Sequence, residues 1–77
     1  MTDDVDKAFI VRLRVTNRSS EPIALVLEPA GEVYRIEPGQ NRVVRYTGDP
    51  APSLSIDVHD GETKIWEEGP GTLELEE

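Results

Sequence analysis

The 77-residue chain has no cysteine, one histidine, one tryptophan and one phenylalanine. Without cysteine there is neither a disulfide nor a thiolate zinc site. The lack matters in so small a domain, which buries only about 60% of the surface its unfolded chain exposes and usually carries a staple. Blue copper needs a cysteine with two histidines and is excluded. Nothing in the sequence calls for any other cofactor. Positive charge is scarce too: eight Lys and Arg face sixteen Asp and Glu, for a net charge of −8. Nucleic acid is thereby disfavoured as a partner, because neutralising phosphates requires a cationic surface. The longest apolar run, Ile23 to Leu27, is too short to cross a bilayer, so no membrane partner is expected. Residues Met1 to Ala8 are acidic rather than basic and then apolar, so they do not read as a secretory signal. These features together lead us to expect a soluble, cytoplasmic protein, for which a cysteine-free composition suits the reducing compartment.

What is present is a period of two. Phe9, Val11, Leu13 and Val15 fall on one side of an extended chain, while Arg12, Arg14 and Thr16 fall on the other. Ile23, Leu25 and Leu27 repeat the pattern, as do Leu54, Ile56 and Val58. Val44 and Tyr46 are expected inward in the strand Arg42 to Thr47, and Leu73 and Leu75 in the strand Thr72 to Glu76. No stretch has helical spacing, and prolines at 22, 29, 38, 50, 52 and 70 punctuate the chain.

The turns carry their own chemistry. Pro38-Gly39 suits a type II turn over Glu37 to Gln40, with proline fixing φ and glycine accepting a positive value. Asp60-Gly61 is the strongest hairpin signal. A two-residue turn there pairs Val58 with Thr63, Ile56 with Ile65 and Asp57 with Lys64, and points Trp66 outward opposite Ser55. For the hairpin around Pro29, a four-residue loop, Pro29 to Glu32, places Leu27 opposite Tyr34 and Leu25 opposite Ile36. A three-residue loop would set Arg35 beside the apolar face, because a one-residue slip flips every side chain.

The fold class expected is therefore all-β: seven short antiparallel strands in a small β-sandwich, immunoglobulin-like or cupredoxin-like, with a small closed β-barrel as the alternative. One domain over residues 8–77 follows, preceded by a disordered acidic segment at residues 1–7.

Candidate chemistry is sparse. His59 is the only possible imidazole base, with Asp57 two residues before it and Ser53 and Ser55 further along the strand. No nucleophile elbow or glycine-rich oxyanion loop accompanies them, so no catalytic residue is assigned and no enzyme is expected. Asp57, His59, Asp60 and Glu62 offer mixed nitrogen and oxygen ligands around the Asp60-Gly61 turn, a weak divalent-metal candidate that lacks the EF-hand spacing. Carboxylate pairs such as Glu67-Glu68 read as solubility charge.

Charge is uneven along the chain. All six arginines lie within residues 9–47, whose balance is +2, whereas residues 48–77 carry −8. The ordinary reading is that folding joins the two as surface ion pairs. The sharper one is an interaction surface. Ile10, Val26 and Val43 fall opposite the core, and arginine, tyrosine and tryptophan are frequent interface anchors. Arg12, Arg14, Arg45, Tyr46 and Trp66 are the candidates for it.

The stretch Val15 to Gln40 contains Asn17, Arg18 and Ser19, then Leu25, Leu27, Glu28, Pro29, Gly31, Glu32 and Tyr34, then Pro38 and Gly39. It resembles a group of short uncharacterised bacterial β-domain proteins with the pattern N-R-S, L-x-L-E-P-x-G-E-x-Y and P-G. The position after Pro29, often tryptophan in that group, is Ala30 here. The likeness covers about a third of the chain. It implies a bacterial origin and a compact β-domain, and it brings no catalytic residues because no activity is attached to the group. The expected role is a protein-interaction module that binds another protein or itself through a sheet face or an edge strand. A metal- or ligand-binding accessory protein using the Asp57 to Glu62 hairpin is the alternative.

Overall fold

A computed structural model describes residues 9–48 and 54–76. They form seven strands and no helix: β1 (Phe9–Thr16), β2 (Ile23–Glu28), β3 (Glu32–Ile36), β4 (Asn41–Gly48), β5 (Leu54–His59), β6 (Glu62–Glu67) and β7 (Gly71–Glu76). One sheet has three strands in the order β1-β4-β7, and the other has four in the order β3-β2-β6-β5. The sheets pack face to face as a small sandwich and do not close into a barrel. In an immunoglobulin constant domain β2 would lie between β1 and β5. Here it lies between β3 and β6, so the likeness is one of layering rather than of strand order. The expected acidic segment at residues 1–7 lies outside the described residues, as do residues 49–53 before β5.

The core is where the two alternations meet. Leu25, Leu27, Ile36, Val44 and Ile65 are almost fully buried, with Leu13, Val15, Ile23, Tyr34, Leu73 and Leu75 packed around them. The β5–β6 hairpin has the register that its two-residue turn dictates, with Ile56 opposite Ile65 and Trp66 opposite Ser55. Gly39 sits at φ 81° and the Gln40 amide donates to the Glu37 carbonyl at 3.0 Å, closing the type II turn.

Several expectations need correcting. The β2–β3 hairpin pairs Leu25 with Tyr34 and Leu27 with Glu32, two residues tighter than the loop over Pro29 to Glu32 would give. An even shift leaves the faces unchanged, so apolar alternation could not separate the two registers. The Gly31 amide fixes the tighter one by donating to the Leu27 carbonyl at 2.8 Å. The sheets are not wholly antiparallel either: β2 and β6 run parallel. A parallel pair needs a long crossover. The chain provides it by crossing to the other sheet as β4 and returning as β5.

Val26, expected on the outer surface, is buried to 7% exposure. It sits on an inner strand between Val33 and Lys64, and long side chains such as lysine cover apolar neighbours with their stems. Three residues expected in the interior are exposed. Phe9 (42%) begins β1 at the end of the sheet, opposite Gly48, which offers it no side chain. Ile56 (56%) and Val58 (74%) both lie on β5.

Candidate functional site

Strand β5 is one edge of the wider sheet, and β3 is the other. Its core-side row is Leu54, Ile56 and Val58, the parity that elsewhere builds the interior. Yet Ile56 is 56% and Val58 74% exposed, and neither joins the core cluster. The cause is a mismatch in width. The three-stranded sheet lies over the remainder of the four-stranded one: β7 touches β2 and β6. At the other side Asn17, which follows β1, donates to the Ile36 carbonyl of β3, and Arg42 of β4 donates to the Arg35 carbonyl of β3. Three strands are thus spent on β3, β2 and β6, and β5 overhangs. Among the described residues it presents a bare apolar row and a backbone edge with no paired strand.

The opposite side of β5 carries Asp57 and His59, next to Glu62 and Lys64 of β6. Lys64 stands 3.9 Å from both Glu28 and Glu62. Its ammonium also lies 6.0 Å from the centre of the Trp66 ring. Of the metal candidates, His59 does face Glu62, but Asp57 faces Lys64. Among the described residues no three His, Cys, Asp or Glu side chains gather around a point that could hold an ion.

The arginine surface takes another form than a ready anchor. Arg12 and Arg45 are direct neighbours across β1 and β4, and β7 brings the acidic tail beside them. Arg12 Nε donates to Glu76 Oε2 at 2.7 Å, and Arg45 Nη2 donates to Glu74 Oε1 at 2.6 Å. The hydrogen bond and charge of Glu74 raise the Arg45 pKa above its ordinary value. Arg14 donates to Asn41 Oδ1 at 2.9 Å. Two of the six arginines, Arg12 and Arg45, thus pair with the acidic last third on one outer face, and such exposed pairs contribute little.

Trp66 lies on the outer face of the other sheet, so the structure does not bring it to the arginines. Tyr46 is a correction: at 1% exposure it belongs to the interior, not to a surface. Its hydroxyl donates to the Pro70 carbonyl at 2.6 Å. Gly48 and Gly71 flank the ring, and a Cβ on Gly71 would come within 2.5 Å of it.

The residue that sequence reasoning missed is Asn17, named there only as part of the Asn-Arg-Ser motif. It is 2% exposed and ties three segments together. Its Nδ2 donates to the Glu21 carbonyl (2.8 Å) and the Ile36 carbonyl (2.9 Å). Its Oδ1 accepts from the Ser19 amide (2.9 Å) and the Ser19 hydroxyl (2.7 Å). The Gly39 amide donates to its carbonyl at 2.8 Å. The Asn-Arg-Ser and Pro-Gly motifs are thus two halves of one structural joint.

Comparison with known proteins places no label on this arrangement: no family model, curated protein or solved structure matches the chain. No helix among the described residues is long and apolar enough to span a membrane.

Proposed function

We propose that the protein is a non-enzymatic interaction module whose working surface is the β5 edge. A partner chain adds there as a further strand of the four-stranded sheet and lays apolar side chains over Ile56 and Val58. The observation that carries this reading is the overhang: a row with core-type sequence, at 56% and 74% exposure, beside an open backbone edge. Strand addition uses both features, since main-chain hydrogen bonds supply affinity and alternate side-chain contacts supply selectivity. The partner is another protein or a second copy of the chain, and not nucleic acid, because a net charge of −8 repels phosphates. Arg12 and Arg45 of the opposite sheet are already balanced by Glu76 and Glu74. A cytoplasmic setting agrees with the zero cysteine count.

The test is a double substitution, Ile56→Lys with Val58→Lys. Both side chains are largely in water already, so the fold should survive. Wild-type protein is expected to self-associate in sedimentation or to retain a specific partner from an extract of its source, and the double variant to do neither. Equal behaviour of the two proteins would remove β5 from the account.

A further inference from the structure

At one end of the sandwich an open cavity of about 260 Å³ lies between the β2–β3 turn and the start of β7. Leu27, Ala30 and Leu73 form apolar walls, and Glu28, Glu67 and Thr72 also line it. Glu67 is the odd member. Its position on β6 has the parity of Thr63 and Ile65, so it faces the layer between the sheets. Its Oε2 is buried and has no hydrogen-bond partner among the described residues. A buried acceptor left without a donor is costly, and each one in a folded protein calls for an explanation.

From this cavity we infer a binding site for a small primary alkylammonium, with Glu67 as the ionic partner and the Leu27, Ala30 and Leu73 walls around the alkyl stem. The chemistry narrows to that class in steps. The missing group is a hydrogen-bond donor, and a positively charged one makes the strongest such bond to a carboxylate. Anions are disfavoured, since among the described residues Glu67 lines the space without any Lys, Arg or His beside it, Glu28 being paired with Lys64 at 3.9 Å. The volume lies below the range typical of drug-sized sites, so the ligand carries only a few heavy atoms. Apolar walls favour a hydrocarbon stem over a polar one. The ammonium can belong to a free amine or to a lysine side chain of a bound protein, and both present the same group. Glu67 pairs with Leu54 of β5, but the cavity is lined by the β2–β3 turn and β7 and not by Ile56 or Val58, so either reading can fail alone.

The experiment is an amide chemical-shift titration of the full chain with n-butylammonium, with n-butanol as the neutral control. The expected result is saturable shifts at Glu67, Gly71, Thr72 and Leu73, with a dissociation constant on the order of millimolar, as befits so few heavy atoms. Butanol should bind at least about tenfold more weakly, and Glu67→Gln should weaken butylammonium binding by a similar factor. Ala30→Phe, which blocks the cavity without touching the carboxylate, should abolish the shifts and serves as the decisive variant if Glu67→Gln does not fold. A parallel titration with N-acetyl-lysine methylamide separates the sources. Binding as tight as butylammonium assigns the site to a partner's lysine, and exclusion assigns it to a free amine. The inference is overturned if butylammonium gives no saturable shift, if butanol binds equally well, or if Ala30→Phe leaves binding intact.

Discussion

Replacing Asn17 by alanine removes two donated and two accepted hydrogen bonds in one step. The accepted pair involves Ser19, which is exposed and can turn to water, so that loss is small. The donated pair is different, because the bond to the Ile36 carbonyl is buried and water does not readily replace it. A net hydrogen bond contributes about 0.5–1.5 kcal/mol, and a buried group left unsatisfied costs about 1–3 kcal/mol. Together these put Asn17→Ala at about 3 kcal/mol of lost stability. For 77 residues the whole stability is about 4–12 kcal/mol, so a quarter or more of it rests on this side chain. Urea unfolding followed by far-ultraviolet dichroism and by Trp66 fluorescence measures the loss. With a slope near 1 kcal/mol/M for so small a domain, the midpoint should fall by about 3 M or the cooperative transition should vanish. Asn17→Asp sharpens the test. It keeps the acceptor for Ser19 but sets a carboxylate oxygen against two carbonyl oxygens, and should destabilise at least as much as alanine. A stable Asn17→Asp variant would refute the claim that the donor side of Asn17 joins the β1–β2 loop to β3.

Other perturbations have distinct expected outcomes. Gly71→Ala forces a Cβ into the Tyr46 ring at a backbone φ of 148°, and thermal denaturation should register a loss of about 2 kcal/mol or more. Tyr46→Phe keeps the ring but strands the Pro70 carbonyl, and the same assay should read about 1 kcal/mol. Ile65→Ala, at 0% exposure, should cost about 2–5 kcal/mol, whereas Ile56→Ala on the same paired row should cost well under half of that. Similar losses at the two isoleucines, read from urea midpoints, would show that β5 is covered.

Much of the fold was legible because side-chain parity is set by the backbone. Leu25, Leu27, Val44 and Ile65 went where alternation sent them, and Asp60-Gly61 fixed the β5–β6 register without help. Parity has limits that the structure makes concrete. It could not detect the two-residue shift around Gly31, since even shifts keep every face. It could not foresee the parallel β2–β6 contact, which depends on how the chain crosses between sheets and not on any single strand. It also names a face without saying whether anything lies over that face. Ile56 and Ile65 have the same pattern and opposite exposures because strand number differs between the layers. Tyr46 was assigned to a surface on residue type, against the parity of its own strand, and parity was the better guide. Asn17 was hidden for a different reason. An asparagine among serines reads as turn material, and only the approach of the Ile36 carbonyl from a distant strand gives it a larger part.

The most direct measurement is the accessibility of methyl groups to a soluble nitroxide, read as paramagnetic broadening in a methyl-labelled sample. The account predicts strong broadening at Ile56 and Val58 together with protection at Leu25, Leu27 and Ile65. Protection of Ile56 and Val58 equal to that of Ile65 in the monomer would mean that the narrower sheet reaches over β5. No overhanging apolar row would then be left for a partner to cover.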